Sequence, residues 1–143
     1  MVVVDVNVLA YSLIEGDRTG EALEVQRIDP DWRLPPVWRH EFANVLVTYV
    51  RQGGMPERRA SDLYGAAVAS YGPREATPDV SSVIRWAIGK RLSAYDAQYV
   101  ALARQLDVPC VTEDAGILRA VPAGACSMRA FVRKHPGKPP QNR

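Results

Sequence analysis

The stretch Val2-Val-Val4 is apolar and β-branched at every position, and a helical pattern (Val8, Leu9, Tyr11, Ser12, Leu13) follows almost at once. A strand that alternates apolar and polar residues can leave one face to water, but a continuous run must be covered on both faces. Helices layered on either side of a sheet provide that cover. The chain is thereby constrained to an α/β architecture with a short, mainly parallel sheet. The rest of the sequence keeps to the same alternation. Gly16-Asp17 breaks the first helix, and a second is predicted over Thr19 to Ile28. Trp32-Arg-Leu34 reads as a short strand, and Pro36 suits the first turn of the helix that runs to Gln52. That helix carries its apolar face at Phe42, Val45, Leu46, Tyr49 and Val50. Gly53-Gly54 ends it, and Met55-Pro56 opens another to about Ser70.

After the turn Gly72-Pro73, Arg74 to Thr77 is expected to be a short strand. Asp79 to Lys90 is expected as a helix with Val80, Val83, Ile84, Ala87 and Ile88 inward. Ser93 to Leu106 is the next helix, Val108 to Thr112 a strand, Ala115 to Ala120 a short helix, and Ala123 to Met128 a last strand. The 143 residues suffice for one domain with a sizeable core, expected over residues 1–128. Residues 129–143 read as a basic, proline-rich tail that cannot bury a core of its own. The tail holds five basic side chains (Arg129, Arg133, Lys134, Lys138, Arg143) and no acid, which leaves the body thirteen basic against sixteen acidic residues. An acidic body with a basic tail suits a cation-loaded site that meets a polyanion, and equally a solvated terminus.

Cys110 and Cys126 fall in strand-like segments and read as reduced, buried thiols. His40 and His135 are isolated, so nothing has the spacing of a zinc site. The N-terminus lacks a basic leader, and no apolar run approaches the ~20 residues of a membrane helix, so a cytoplasmic location away from membranes is expected.

Four acids stand at the ends of these elements. Asp5 closes the first strand, Glu41 and Asp96 lie early in helices, and Asp114 follows the strand Val108 to Thr112. In a parallel α/β sheet the strand C-termini and the helix N-termini after them share one edge, where ligands bind. Taken singly, each has a bland reading. Asp5 and Asp114 fit helix N-caps, Asp96 fits a capping box with Ser93, and Glu41 fits an exposed glutamate at a positive helix end. Taken together they read differently. Glu41 borders the apolar stripe of its helix, and Asp96 aligns with Val100 and Ala103, so both face inward. Inward carboxylates are costly unless paired or bound to a cation. Magnesium would satisfy them, because it takes one or two carboxylates directly and keeps several waters that further acids can hold. Such a site polarises a phosphodiester and activates water. The residues alone leave capping and metal-dependent phosphoryl chemistry both open.

The blocks Val3-Val-Asp5-Val-Asn7-Val-Leu9, Arg39-His-Glu41-Phe-Ala-Asn-Val-Leu46, Leu92-Ser-Ala-Tyr-Asp96-Ala-Gln-Tyr99 and Val111-Thr-Glu-Asp114 occur in this order. Their order, spacing and context resemble the signature blocks of the PIN-domain ribonucleases from Met1 to about Met128. In size and layout the chain is similar to the VapC-type toxins of toxin–antitoxin pairs. The resemblance implies a three-layer α/β/α PIN-like fold and metal-dependent endonucleolytic cleavage of RNA. It implies that Asp5, Glu41, Asp96 and Asp114 hold Mg²⁺ or Mn²⁺, with Asp5 and Asp96 as direct ligands. Glu41 and Asp114 would complete the shell or orient the attacking water, with Asn7 and Thr112 as polar supports. A cognate antitoxin protein and a homodimer are implied in the same way. Val6 stands where the family commonly has a small hydroxyl residue, which removes a hydrogen bond but no carboxylate. Glu113 beside Asp114 leaves open which acid faces the metal, and the motif favours Asp114.

Rival chemistries fit less well. A haloacid-dehalogenase-type phosphatase needs Asp-x-Asp, and this chain has Asp5-Val-Asn7. There is no nucleophile elbow, Walker loop or dinucleotide fingerprint. The alternative from another class is a PIN-like module that binds RNA or protein with little catalysis. Leu63, Tyr64 and Val68 are candidates for its partner surface, although their spacing is also that of a core face.

Overall fold

The computed structural model describes residues 1–136. Val2–Val4 form β1, and none of the three is more than 1% exposed, as covering on both faces requires. β1 pairs in parallel with β2 (Trp32–Arg33) on one side, with Val2 opposite Trp32. On its other side it pairs in parallel with β3 (Cys110–Val111), with Val3 opposite Cys110. β4 (Ala125–Cys126) extends the sheet beyond β3 and gives the order β2-β1-β3-β4.

α1 (Val6–Leu13) and α2 (Thr19–Ile28) connect β1 to β2. Four helices connect β2 to β3: α3 (Trp38–Gln52), α4 (Glu57–Tyr71), α5 (Val80–Lys90) and α6 (Ala94–Leu106). α7 (Ala115–Ala120) leads to β4, and α8 (Met128–Lys134) follows it. α6 packs on β1 and β3, while α1, α2, α3 and α8 pack among themselves. Helices thus flank a short parallel sheet, as expected. The chain leaves β1 for one neighbour and later returns to the other. The strand order therefore reverses between the C-terminal ends of β1 and β3, where parallel sheets open a crevice.

An aromatic group ties the helices to the sheet. Trp32 stacks on Tyr71 with ring centroids 6.0 Å apart, and Phe42 stacks on Tyr64 at 6.4 Å. Leu63, Tyr64 and Val68 are partly buried and pack against the core. No helix among the described residues is long and apolar enough to cross a membrane. Both cysteines are free, Cys110 buried and Cys126 partly so.

Several local expectations are corrected. Arg74 to Thr77 is not a strand: Gly72–Arg74 form a 3₁₀ turn, and the segment touches the sheet through an isolated bridge between Leu34 and Glu75. Proline at the second position of that turn cannot donate to a ladder, and the Glu75 carboxylate is drawn instead to Trp38 Nε1, at 2.8 Å, and to Arg39. α5 does not bury all of its predicted face. Val83 is buried, and Trp86 and Ala87 partly so, against Ala97 and Ala101 of α6, but Val80, Ile84 and Ile88 are 66%, 53% and 75% exposed. α5 packs on α6 rather than on the sheet, so its apolar stripe is wider than the surface offered to it. The last strand shrinks to Ala125–Cys126, because Ser127 caps α8 by accepting a hydrogen bond from Ala130 N–H. Residues 129–134, expected as the start of a tail, instead continue α8. Met128 and Phe131 are buried, and the helix packs on α2. The remaining tail residues, 137–143 with Lys138 and Arg143, lie outside the described residues.

Candidate functional site

Asp5 follows β1 with extended backbone (φ −71°, ψ 155°) at the N-cap of α1, yet its carboxylate makes no ordinary capping bond. It is 4% exposed. One oxygen, Oδ2, accepts a hydrogen bond of 2.7 Å from the hydroxyl of Thr112, which is wholly buried just beyond β3. The same hydroxyl oxygen accepts from Asp114 N–H at 3.0 Å. Thr112 thus ties the end of β1 to the end of β3, across the point where the strand order reverses. Burial raises the Asp5 carboxyl from 3.8 to about 6. Thr112 and the Val6 backbone oppose that rise, and the charges of Asp96 and Asp114 add to it.

Asp114 caps α7, its Oδ1 accepting from Ile117 N–H at 2.8 Å. A Cβ at position 116 would stand 3.0 Å from that oxygen, so Gly116 leaves room for the carboxylate. Glu113 is turned elsewhere. It accepts from Met128 N–H at 2.7 Å and pairs with Arg18 at 3.0 Å, which anchors α8 and the α1–α2 turn. Asp114, not Glu113, lines the cleft described below.

Asp96 is placed by the turn between α5 and α6. Arg91 adopts a left-handed conformation (φ 55°), and Leu92 N–H returns to the Ala87 carbonyl, which stops α5 in the Schellman manner. Two residues on, Ser93 caps α6 by accepting from Asp96 N–H at 3.0 Å. Burial raises the Asp96 carboxyl, the Ser93 hydroxyl lowers it, and the charge of Asp114 adds to the rise. Glu41, half-buried in the first turn of α3, accepts a 2.7 Å hydrogen bond from the Tyr99 hydroxyl. Burial raises it as well. Tyr99 opposes the rise, while the charges of Asp5 and Asp96 reinforce it.

All four acids and Asn7 line one cleft of about 440 Å³. His40, Asn44 and Tyr95 line it too, and among the described residues no lysine or arginine does. Among the described residues, none of the four acids forms an ion pair. Nor do any three His, Cys, Asp or Glu side chains among them converge tightly enough to make a ready cation cage. The acids therefore share a cleft without touching a common point. That arrangement fits Mg²⁺ or Mn²⁺, which binds one or two carboxylates and fills its other positions with water. The four carboxylates offer only oxygen donors, and the buried Asp5 carboxylate has no ion-pair partner among the described residues. A larger cleft of about 540 Å³ lies beside Trp86, Lys90, Arg104 and the start of β3, but Asp107 is its only acid.

The PIN domain family model matches residues 2–123. The chain belongs to the PIN domain family. Two solved structures share the fold. PAE2754 from Pyrobaculum aerophilum aligns with a TM-score of 0.72 at 21% identity, covering 92% of this chain and 94% of that one. FitAcB from Neisseria gonorrhoeae aligns with a TM-score of 0.65 at 16% identity, covering 90% and 99%. At such identities the likeness is one of fold. No curated protein sequence matches significantly.

Several residues of this PIN domain's cleft were not singled out from sequence. Asn44 lies one turn beyond Glu41, and Tyr95 and His40 are immediate neighbours of Asp96 and Glu41. Helical spacing from Glu41 could have found Asn44, whereas adjacency in sequence does not put Tyr95 and His40 on the same helix face as the acids beside them. Tyr99 stands three residues after Asp96, which is also a helical neighbour position, but only the structure shows that it reaches Glu41.

Proposed function

We propose that this PIN domain is a metal-dependent endoribonuclease, acting as the toxin of a toxin–antitoxin pair. One observation carries the reading. Carboxylates from four separate segments line a single cleft at the strand-reversal edge, and among the described residues no cationic side chain lines it to neutralise them. A purely structural set of helix caps gives no reason for that convergence.

Asp5 and Asp96 would hold Mg²⁺ or Mn²⁺ directly, with Glu41 and Asp114 completing the shell through water. The ion would supply Lewis-acid polarisation of a phosphodiester and a more acidic bound water. The chain's own residues set the geometry. Thr112 fixes one oxygen of Asp5, whose residue lines the cleft. The α7 cap holds Asp114 by Oδ1 in the same way. Asn7 adds a neutral polar group on the wall beside Asp5. The carboxylates of Glu41 and Asp114 can accept a proton from an attacking water, and burial favours the protonated form of Glu41. RNA is the substrate, a cognate antitoxin protein the restraint, and the homodimer the working form in the cytoplasm. These last assignments rest on family resemblance.

Asp96→Asn tests the reading. The variant is expected to keep the circular dichroism spectrum of the parent and to lose Mg²⁺-dependent cleavage of RNA. Cleavage at the parent rate would remove Asp96 from the site. A parent protein that binds RNA without cutting it would favour the binding-module alternative.

A further inference from the structure

Tyr99 closes the block Leu92–Tyr99, and the reaction as described gives it no part. Its side chain is wholly buried. A phenol taken out of water needs a hydrogen-bond partner, and this one finds it in the wall of the acid cleft. The O–H donates to Glu41 Oε1 at 2.7 Å, joining α6 to α3 across 58 residues of sequence. A donor on an ionised carboxylate at this distance makes a charge-assisted bond, stronger than a neutral one. The bond uses one oxygen of Glu41. The other, Oε2, has no hydrogen-bond partner among the described residues and belongs to a side chain that lines the cleft.

Position adds to this. Asp96 and Tyr99 are three residues apart on α6, hence neighbours on one side of the helix. The helix that carries one cleft carboxylate therefore also grips another, from α3. Without that grip the Glu41 side chain has three free torsions, and a cation would have to order them itself.

We propose that Tyr99 is a positioning residue that holds Glu41 by one oxygen and presents the other to a divalent cation in the cleft. The proposal rests on the metal-dependent reading above, and its test is read without RNA. Mn²⁺ is titrated calorimetrically into the full-length protein and into Tyr99→Phe, Glu41→Gln and the double variant. Phenylalanine keeps the ring and loses only the donor, so the fold and its circular dichroism are expected to persist. Tyr99→Met, which also lacks the donor and can refill the space, replaces it if Tyr99→Phe does not fold. Tyr99→Phe is expected to weaken Mn²⁺ binding about tenfold, the order of one charge-assisted hydrogen bond. In the Glu41→Gln background the same change should cost nothing further, because the two residues act through one contact. Parent-like Mn²⁺ affinity in the donor-less variant, or losses that multiply in full, would overturn the proposal. A wild-type protein that binds Mn²⁺ without cutting RNA would overturn the nuclease reading and leave the titration to decide Tyr99. One that binds no divalent cation would overturn both.

Discussion

Asp5→Asn should make the metal-free protein more stable at neutral pH while depriving it of its cation. Asp5 is nearly inaccessible, has no cationic partner among the described residues, and shares its surroundings with Asp96 and Asp114. Its carboxyl is raised from 3.8 to about 6, so the folded chain holds a proton between these values that the unfolded chain has released. Folding is therefore favoured as pH falls through this window. Above about pH 6 the ionised carboxylate costs the folded state about 3 kcal/mol, and below about pH 4 the cost is gone. Asparagine removes the charge and still offers an oxygen to the Thr112 hydroxyl. Allowing for imperfect placement of the new amide, a gain of about 2 kcal/mol is expected, or roughly 6 °C in Tm for a chain of this size. Urea unfolding in EDTA at about pH 7.5 and again at about pH 4 measures it, with the gain present at the first and absent at the second. Mn²⁺ should then reverse the order, since a ligand at a hundred times its Kd adds about 2.7 kcal/mol to a protein that binds it. A variant less stable than the parent at about pH 7.5 in EDTA would refute the reasoning. A gain that does not change with pH would also refute it.

Two further outcomes follow from other parts of the molecule. Glu75→Ala should destabilise the fold by about 1–3 kcal/mol in urea titration, because it orphans the indole N–H of the buried Trp38 and releases Arg39. Removing residues 137–143, which follow α8 in the sequence, tests the basic tail. If Lys138 and Arg143 each meet one RNA phosphate, the slope of log affinity against log salt should flatten by about 1.4, and an unchanged slope would exclude the contact.

The four acids were legible in the sequence because each sits where a strand or helix changes, and those boundaries have local signals. Val2–Val4 announces a buried strand by composition, and Ser93 announces the start of α6 by its spacing from Asp96. Between Glu113 and Asp114 the boundary gave no local signal, and only the family motif favoured Asp114. Both are acids after the same strand, and the outcome turns on Arg18 and Met128, which come from distant segments. The exposed stripe of α5 shows the opposite failure. Val80, Ile84 and Ile88 have a core-like period, but periodicity reports the apolar face and not the size of the surface that covers it.

By itself, then, the sequence determined most of the element types, the parallel α/β class and the identity of the candidate carboxylates, since these follow from short-range pattern and family motif. Tertiary structure alone decided which oxygens of Asp5 and Glu41 are engaged. Thr112 bonds one oxygen of Asp5 and Tyr99 one of Glu41, whereas the bond of Ile117 to Asp114 is a local helix cap. The Thr112 and Tyr99 bonds join segments far apart in the chain, and their donors are placed only when the sheet and helices have packed. A hydrogen bond depends on tenths of an ångström, and no local pattern in a sequence specifies distance at that scale.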